Sequence, residues 1–320
     1  MRNYTLDKLK FIAAFFIIAV HIGYFADYNQ TFGELFRVAT RWALPFFFIV
    51  SGYFLGKSSS FKLENRLNSI LGIFIVSSIV YLPYVFILNR DDFLSILFSN
   101  NLIFGINYHL WYLSSLIIAF ILVSFFVDTF NKKFTLLISL ALMVLLWISD
   151  IQKFLNVENS FYFFRTMIGF PLVYIGYLTA KSEYKFKVVN LITLFIVSIF
   201  LMLAEVYVLS SYYNLNSLER QFPLFSFIAA YVLLLIGINY ISGSNKLAEY
   251  GKNYALGIYL YHLIFMPIIS KTMKHFNIFN SFALLISTFV VTLIFLIILD
   301  KYFNRIFRIL NGDINFKKIK

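Results

Sequence analysis

Lys10 and His21 stand eleven residues apart in the apolar stretch LDKLKFIAAFFIIAVHIGYF. On a helix, eleven steps of about 100° close roughly three turns, so both side chains fall near one face, ~16 Å apart along the axis. One is a cation at a membrane surface. The other is a titratable imidazole deep in an apolar helix, and imidazole is the natural general base near neutral pH. A long anionic thioester, with phosphates at one end and a reactive carbonyl at the other, fits that geometry.

The other residues able to do chemistry are scattered. Asp7 shares the face of Lys10 and His21; Asp7 and Lys10 either pair and snorkel or serve the site. Arg37 and Arg41, one turn apart before Pro45 and FFFIVSGYFL, either reach lipid headgroups or hold an anionic or glycan acceptor. Ser51 and Gly52 read as helix packing. In NYHLWYLSSL, Tyr108, Trp111 and Tyr112 form an interfacial belt or line an acceptor pocket, with His109 at the water boundary. Arg165 and Glu205 each fall near the outer end of a span, where an ion pair between them is open. In YALGIYLYHLIF, His262 is mid-membrane with Tyr259 on its face, as polar packing or as part of a site. The four histidines lack metal-ligand spacing, so no metal is assigned. There is no phosphate-binding loop, dinucleotide fingerprint or nucleophile elbow.

The elements that must position these groups are membrane helices. Of the 320 residues, 61% are hydrophobic and only 13% charged, against about 25% charged in soluble domains. The chain reads as an all-α polytopic transmembrane bundle of about ten helices. The spans are placed at roughly 7–26, 36–56, 67–88, 110–128, 134–149, 161–180, 187–209, 223–241, 251–270 and 281–300. The first is a retained span, with no cleavage site after it. The apolar connection 89–109 is placed partly in the interface or folded back into the bundle. No cysteine is present, which excludes disulfides and thiol chemistry. With the N-terminus inside, 19 of the 27 Lys and Arg fall on the inner side, so the positive-inside rule puts both termini in the cytoplasm of a cell-membrane protein. The 15 acids divide evenly, so the net charge of +12 lies on that face. It reads as topology and attraction to anionic lipid rather than nucleic-acid binding.

Together these segments resemble the acyltransferase 3 family of integral membrane acyltransferases. The matching stretches, in order, are LDKLKFIAAFFIIAVHIG, FFFIVSGYFLG, the basic stretch ending at Arg66, HLWYL, FRTMIGFPLVYIGYL and LGIYLYHLIF. The resemblance implies one transmembrane acyltransferase domain over 1–309 and a basic cytoplasmic tail over 310–320, in a stand-alone form acting on surface-polysaccharide precursors. It implies transfer of an acyl group, acetyl foremost and succinyl next, from cytoplasmic acyl-CoA to a hydroxyl or amine of an extracytoplasmic glycan or lipid-linked sugar. His21 would be the catalytic base. Lys10, where the family more often has Arg, and Arg66 would hold the CoA phosphates. Arg41, Tyr108, Trp111, Arg165 and His262 are candidates for holding the acceptor or stabilising the oxyanion. Two other readings stand beside this one: a transporter or flippase of a lipid-linked sugar, and a non-catalytic membrane partner.

Overall fold

The computed structural model describes residues 2–22, 25, 27–58, 63–88, 90, 92–98, 104–157, 160–183, 185–213, 220–278 and 280–313. Among these there is no strand, and the chain is a polytopic helical bundle. Helices α1 (Tyr4–His21), α2 (Gln30–Ala39), α3 (Ala43–Lys57), α4 (Leu63–Leu88) and α5 (Phe93–Leu97) precede a 3-10 turn at Tyr108–Leu110. Then follow α6 (Trp111–Thr129), α7 (Lys132–Phe154), α8 (Phe161–Met167), α9 (Gly169–Ala180) and α10 (Val188–Tyr213). The chain ends with α11 (Leu224–Asn239), α12 (Lys246–Asn253), α13 (Ala255–His275), α14 (Ser281–Tyr302) and α15 (Asn304–Leu310).

Among the described residues, 8 helical segments are long and apolar enough to cross a membrane. The other two expected spans are α11, which is short at 16 residues, and α1, whose first turns carry Asp7, Lys8 and Lys10. Both lie in the core: Leu6, Ala13, Ala14 and Ile18 of α1 and Ala229, Ala230 and Leu234 of α11 are fully buried.

Asparagine starts many of these helices. The side chains of Asn3, Asn29, Asn131, Asn245 and Asn280 accept from the N–H three residues on, at the heads of α1, α2, α7, α12 and α14. Each satisfies a donor that has no intrahelical partner.

The span expected at 36–56 is broken. Helix α2 ends at Ala39, Thr40–Trp42 form a turn, and α3 starts at Ala43. The Thr40 hydroxyl donates to the Arg37 carbonyl at 2.7 Å, tying off the end of α2. Pro45 falls in the first turn of α3, where a missing N–H costs nothing. The break turns α2 into an amphipathic arm and leaves Arg41 in the bend. In the connection 89–109, α5 is short and has no buried residue, while the turn at 108–110 folds into the core. Residues 99–103 lie outside the described residues.

Helices α3 and α9 cross at backbone contact. A Cβ on Gly52 would lie 2.0 Å from the Val173 carbonyl oxygen, and one on Gly176 would lie 2.0 Å from that of Ile49. Small residues let membrane helices approach this closely. At the far end of the chain, α15 packs on α4, and the Tyr261 hydroxyl donates to the Leu310 carbonyl at 3.0 Å. Of the expected tail, 314–320 lie outside the described residues.

Candidate active site

Lys10 and His21 open onto different cavities at opposite ends of α1. At the N-terminal end, a cavity of about 340 Å³ is lined by Lys10, Arg66 and Lys252 together with Phe47, Ser51, Phe54, Tyr112 and Phe120. Asp7, 4% exposed, accepts from Arg2 and Lys10 at 2.8 Å each. Two cations share one carboxylate there, so the group keeps a net positive charge. The Lys10 ammonium also lies 5.5 Å from the centre of the Phe54 ring. Half-buried Arg66 donates to the Phe54 carbonyl at 3.4 Å. Lys252 comes from α12, which docks on α1 so closely that a Cβ on Gly251 would lie 1.8 Å from the Asp7 carbonyl oxygen. In the sequence Lys252 is one of the inner-side Lys and Arg, with no role of its own. The structure brings it to the cavity that holds Lys10 and Arg66.

At the C-terminal end of α1, a cavity of about 280 Å³ is lined by His21, Arg37, Arg41, Tyr108, His109, Trp111, Arg165, Gln221 and Tyr259, with Ile17 and Val20 of α1. Every group proposed for the acceptor except His262 lies on this wall. His262 is fully buried directly behind it, its ring centre 5.2 Å from that of His21. Its Nδ1 lies 2.8 Å from the Tyr259 carbonyl and 3.1 Å from that of Ile258, which assigns the proton to Nδ1. Its Nε2 is then a bare lone pair, buried and without a hydrogen-bond partner among the described residues.

His109 does not sit at the water boundary as its sequence position implied; it is 1% exposed. The turn at 108–110 folds it against α4 and α13. Its Nε2 donates to the Leu260 carbonyl at 3.0 Å, and its Nδ1 lies 3.1 Å from the Asn107 side-chain amide. Tyr81 donates to the same Leu260 carbonyl at 2.7 Å, and the Tyr259 hydroxyl donates to the carbonyl of His109. With ring centres 6.0 Å apart, His109 and His262 complete a cluster of three imidazoles with His21. This cluster went unseen in the sequence because its members lie on three distant elements. No metal-ligating group of three or more His, Cys, Asp or Glu is present among the described residues.

Tyr108 is 64% exposed, and its hydroxyl lies 3.4 Å from His21 Nδ1. Arg165 stacks its guanidinium 4.8 Å from the centre of a Trp111 ring and 4.9 Å from that of Tyr162. Glu205, open as its partner from the sequence, instead binds Arg220 at 3.0 Å. Arg220 is wholly buried and also pairs with Asp150 at 2.9 Å. The Asp150 carboxylate further accepts the backbone N–H groups of Gln221 and Phe222. Trp147 and the N–H of Leu224 donate to Glu205. This network fixes the segment that presents Gln221 and Phe222 to the cavity.

Between the two cavities lies a layer of rings. Tyr112 and Phe47 line the cavity of Lys10, and Tyr259 lines that of His21. The Tyr112 and Tyr259 ring centres are 5.2 Å apart and those of Phe47 and Tyr259 are 6.4 Å apart.

A helical bundle with no strand among its described residues, cationic at one cavity and histidine-lined at the next, belongs to the class of polytopic membrane proteins with a polar centre. The family model described as an acyltransferase domain matches residues 3–301. The chain belongs to the acyltransferase 3 family. It is 29% identical over 168 residues to a protein named amino-acid racemase from Enterococcus faecalis, covering 49% of this chain and 24% of that one. A serine/alanine racemase from Enterococcus gallinarum is 30% identical over 171 residues, covering 48% and 24%. A second amino-acid racemase from Enterococcus faecalis is 28% identical over 306 residues, 86% of this chain and 43% of that protein. The chain therefore spans less than half the length of the curated relatives it matches. No solved structure matches.

Proposed function

We propose that this membrane acyltransferase moves an acyl group, acetyl foremost, from acyl-CoA to a hydroxyl or amine of a glycan or lipid-linked sugar on the opposite face. The observation that carries the reading is the pair of cavities at opposite ends of α1, with Lys10 in one and His21 in the other. The CoA phosphates dock on Lys10, Arg66 and Lys252, on the face that the positive-inside rule makes cytoplasmic, with both termini there. The pantetheine arm passes the ring layer of Tyr112 and Tyr259 and brings the thioester beside His21. His21 takes the acceptor's proton as its oxygen or nitrogen attacks the thioester carbonyl. The C–S bond breaks, the proton passes to the leaving thiolate, and CoA departs as the thiol. Arg165 or the Tyr108 hydroxyl faces the oxyanion.

The test uses purified protein in nanodiscs with radiolabelled acetyl-CoA and an extract of lipid-linked glycans. Wild type should release CoA and label the glycan, and His21→Ala, at equal protein level, should lose about 10²–10⁴ of that rate. A carrier using the same two cavities would translocate the glycan without consuming thioester, and His21→Ala would match wild type in CoA release. Either of those results would reject the reading.

A further inference from the structure

His262 stands behind the wall of the His21 cavity with one ring nitrogen unaccounted for. It is 0% exposed and not part of the lining, so it cannot touch an acceptor bound there. Its Nδ1–H is committed to the carbonyls of Tyr259 and Ile258 on its own helix, which holds the ring in one orientation. The buried Nε2 has no hydrogen-bond partner among the described residues. A buried acceptor without a donor is costly, and folded proteins leave few of them.

Two imidazoles neighbour that nitrogen's ring, His21 at 5.2 Å and His109 at 6.0 Å between centres. His109 has no N–H to offer, because its Nε2 donates to the Leu260 carbonyl and its Nδ1 faces the Asn107 side chain. His21 has one. Its Nδ1 lies 3.4 Å from the Tyr108 hydroxyl on the cavity wall, and its Nε2 is on the far side of the ring. A ring nitrogen lies about 1.1 Å from its ring centre, so an N–H···N hydrogen bond of about 3 Å sets two imidazole centres about 5.2 Å apart. The observed separation of His21 and His262 matches that distance. A turn of His21 about its Cβ–Cγ bond seats the bond.

We infer that His262 is a positioning residue for His21: its Nε2 accepts the Nε2–H of His21 and leaves His21 Nδ1 bare toward the cavity. The inference rests on the acyl-transfer reading and names the group that sets the tautomer of its base. As the acceptor's O–H or N–H bond breaks, the electron pair forms the bond to the thioester carbon and the proton goes to His21 Nδ1. His21 is then an imidazolium whose second N–H is held by His262. When the C–S bond breaks, the proton on Nδ1 passes to the thiolate and His21 is neutral again. His262 stays neutral throughout, since its own proton remains on the backbone carbonyls. Catalytic histidines are commonly oriented by a carboxylate on their second nitrogen. No Asp or Glu is among the described residues lining this cavity, and His262 takes that place.

Substitution separates the two nitrogens of His262. Asparagine places an amide N–H near the Nδ1 position and keeps the bonds to the carbonyls, but does not reach His21. Glutamine places its amide oxygen near the Nε2 position and offers the acceptor without the Nδ1 contacts. In nanodiscs with acetyl-CoA and the glycan extract, His262→Asn should lower kcat at least about tenfold with KM for acetyl-CoA unchanged, and His262→Gln should recover most of that loss. A residue that only braces the core would give the reverse order, and that result would overturn the inference. Carbethoxylation of His21 by diethyl pyrocarbonate, read by mass spectrometry of its peptide, reports the bare nitrogen without turnover. It should be at least about threefold slower in His262→Asn and near wild type in His262→Gln. If either variant fails to fold, NMR of wild type with isotope-labelled histidine carries the test: a nitrogen–nitrogen coupling across an N–H···N bond between two histidines is expected, and its absence would overturn the inference. Wild-type turnover and labelling in His262→Asn would defeat this inference alone. The expected labelling order in a protein whose wild type releases no CoA would instead defeat the acyl-transfer reading and leave the histidine pair standing.

Discussion

Replacing Arg220 by methionine would strand two buried carboxylates. Arg220 and Asp150 are 0% exposed and Glu205 is 10% exposed. After the substitution Asp150 keeps the N–H groups of Gln221 and Phe222, and Glu205 keeps Trp147 and the Leu224 N–H. Both lose their cation and face each other across the vacated space. Removing one partner of a buried pair costs about 3–5 kcal/mol. At about 1.4 kcal/mol per tenfold, and with the loss appearing in the unfolding rate, the inactivation half-life shortens by two to nearly four orders of magnitude. The assay is the half-life of the folded protein in nanodiscs at fixed temperature. The companion variant is Asp150→Asn with Glu205→Gln and Arg220→Met, which removes the charges along with the cost of desolvating them. It should recover most of the lost lifetime. An R220M protein that lives within about threefold of wild type would refute the reasoning. So would a triple variant less stable than R220M.

Three further outcomes follow from the geometry. Lys10→Ala should raise the KM for acyl-CoA about tenfold with little change in kcat, at the low end for a charged hydrogen bond because Asp7 already neutralises part of that charge; an unchanged KM would remove Lys10 from the donor site. Gly176→Ala should lower thermal stability by about 1–3 kcal/mol, because its methyl group would overlap the Ile49 carbonyl, whereas Gly243→Ala, with open space around it, should be neutral in the same melt. Burial raises the pKa of the Asp27 carboxyl, but the Ser281 hydroxyl and N–H donate to it and together hold it below the ordinary 3.8. Its contribution is therefore present above that pH and is lost as pH falls through the lowered folded value. Asp27→Asn should thus destabilise the protein at pH 7 and lose that effect in melts taken well below pH 3.8.

The relation between Lys10 and His21 was legible in the sequence because it depends only on helical period within one element. The bundle was legible for a similar reason: long apolar runs admit few other solutions. The break at Thr40–Trp42 was hidden, since hydropathy runs through it and proline is tolerated in a helix's first turn. His109 looked peripheral because it follows a polar Asn-Tyr pair, and its burial depends on α13 offering the Leu260 carbonyl from 151 positions away. In the sequence Arg220 carried no role of its own. Its partners lie 70 and 15 residues distant, and no local pattern links them.

The ring layer between the two cavities has an electrical consequence. A cavity reaches it from each side, and the Tyr112 and Tyr259 ring centres lie 5.2 Å apart across it. In the proposed reaction the proton starts on an acceptor at one side of that layer and leaves on a thiol at the other, and the acyl group crosses in exchange for it. Outside, a hydroxyl becomes an ester, and inside, a thioester becomes a thiol of the same charge, so neither side changes its charge and each turnover is electroneutral. Acyl export from an energised cell would therefore neither draw on the membrane potential nor generate a current.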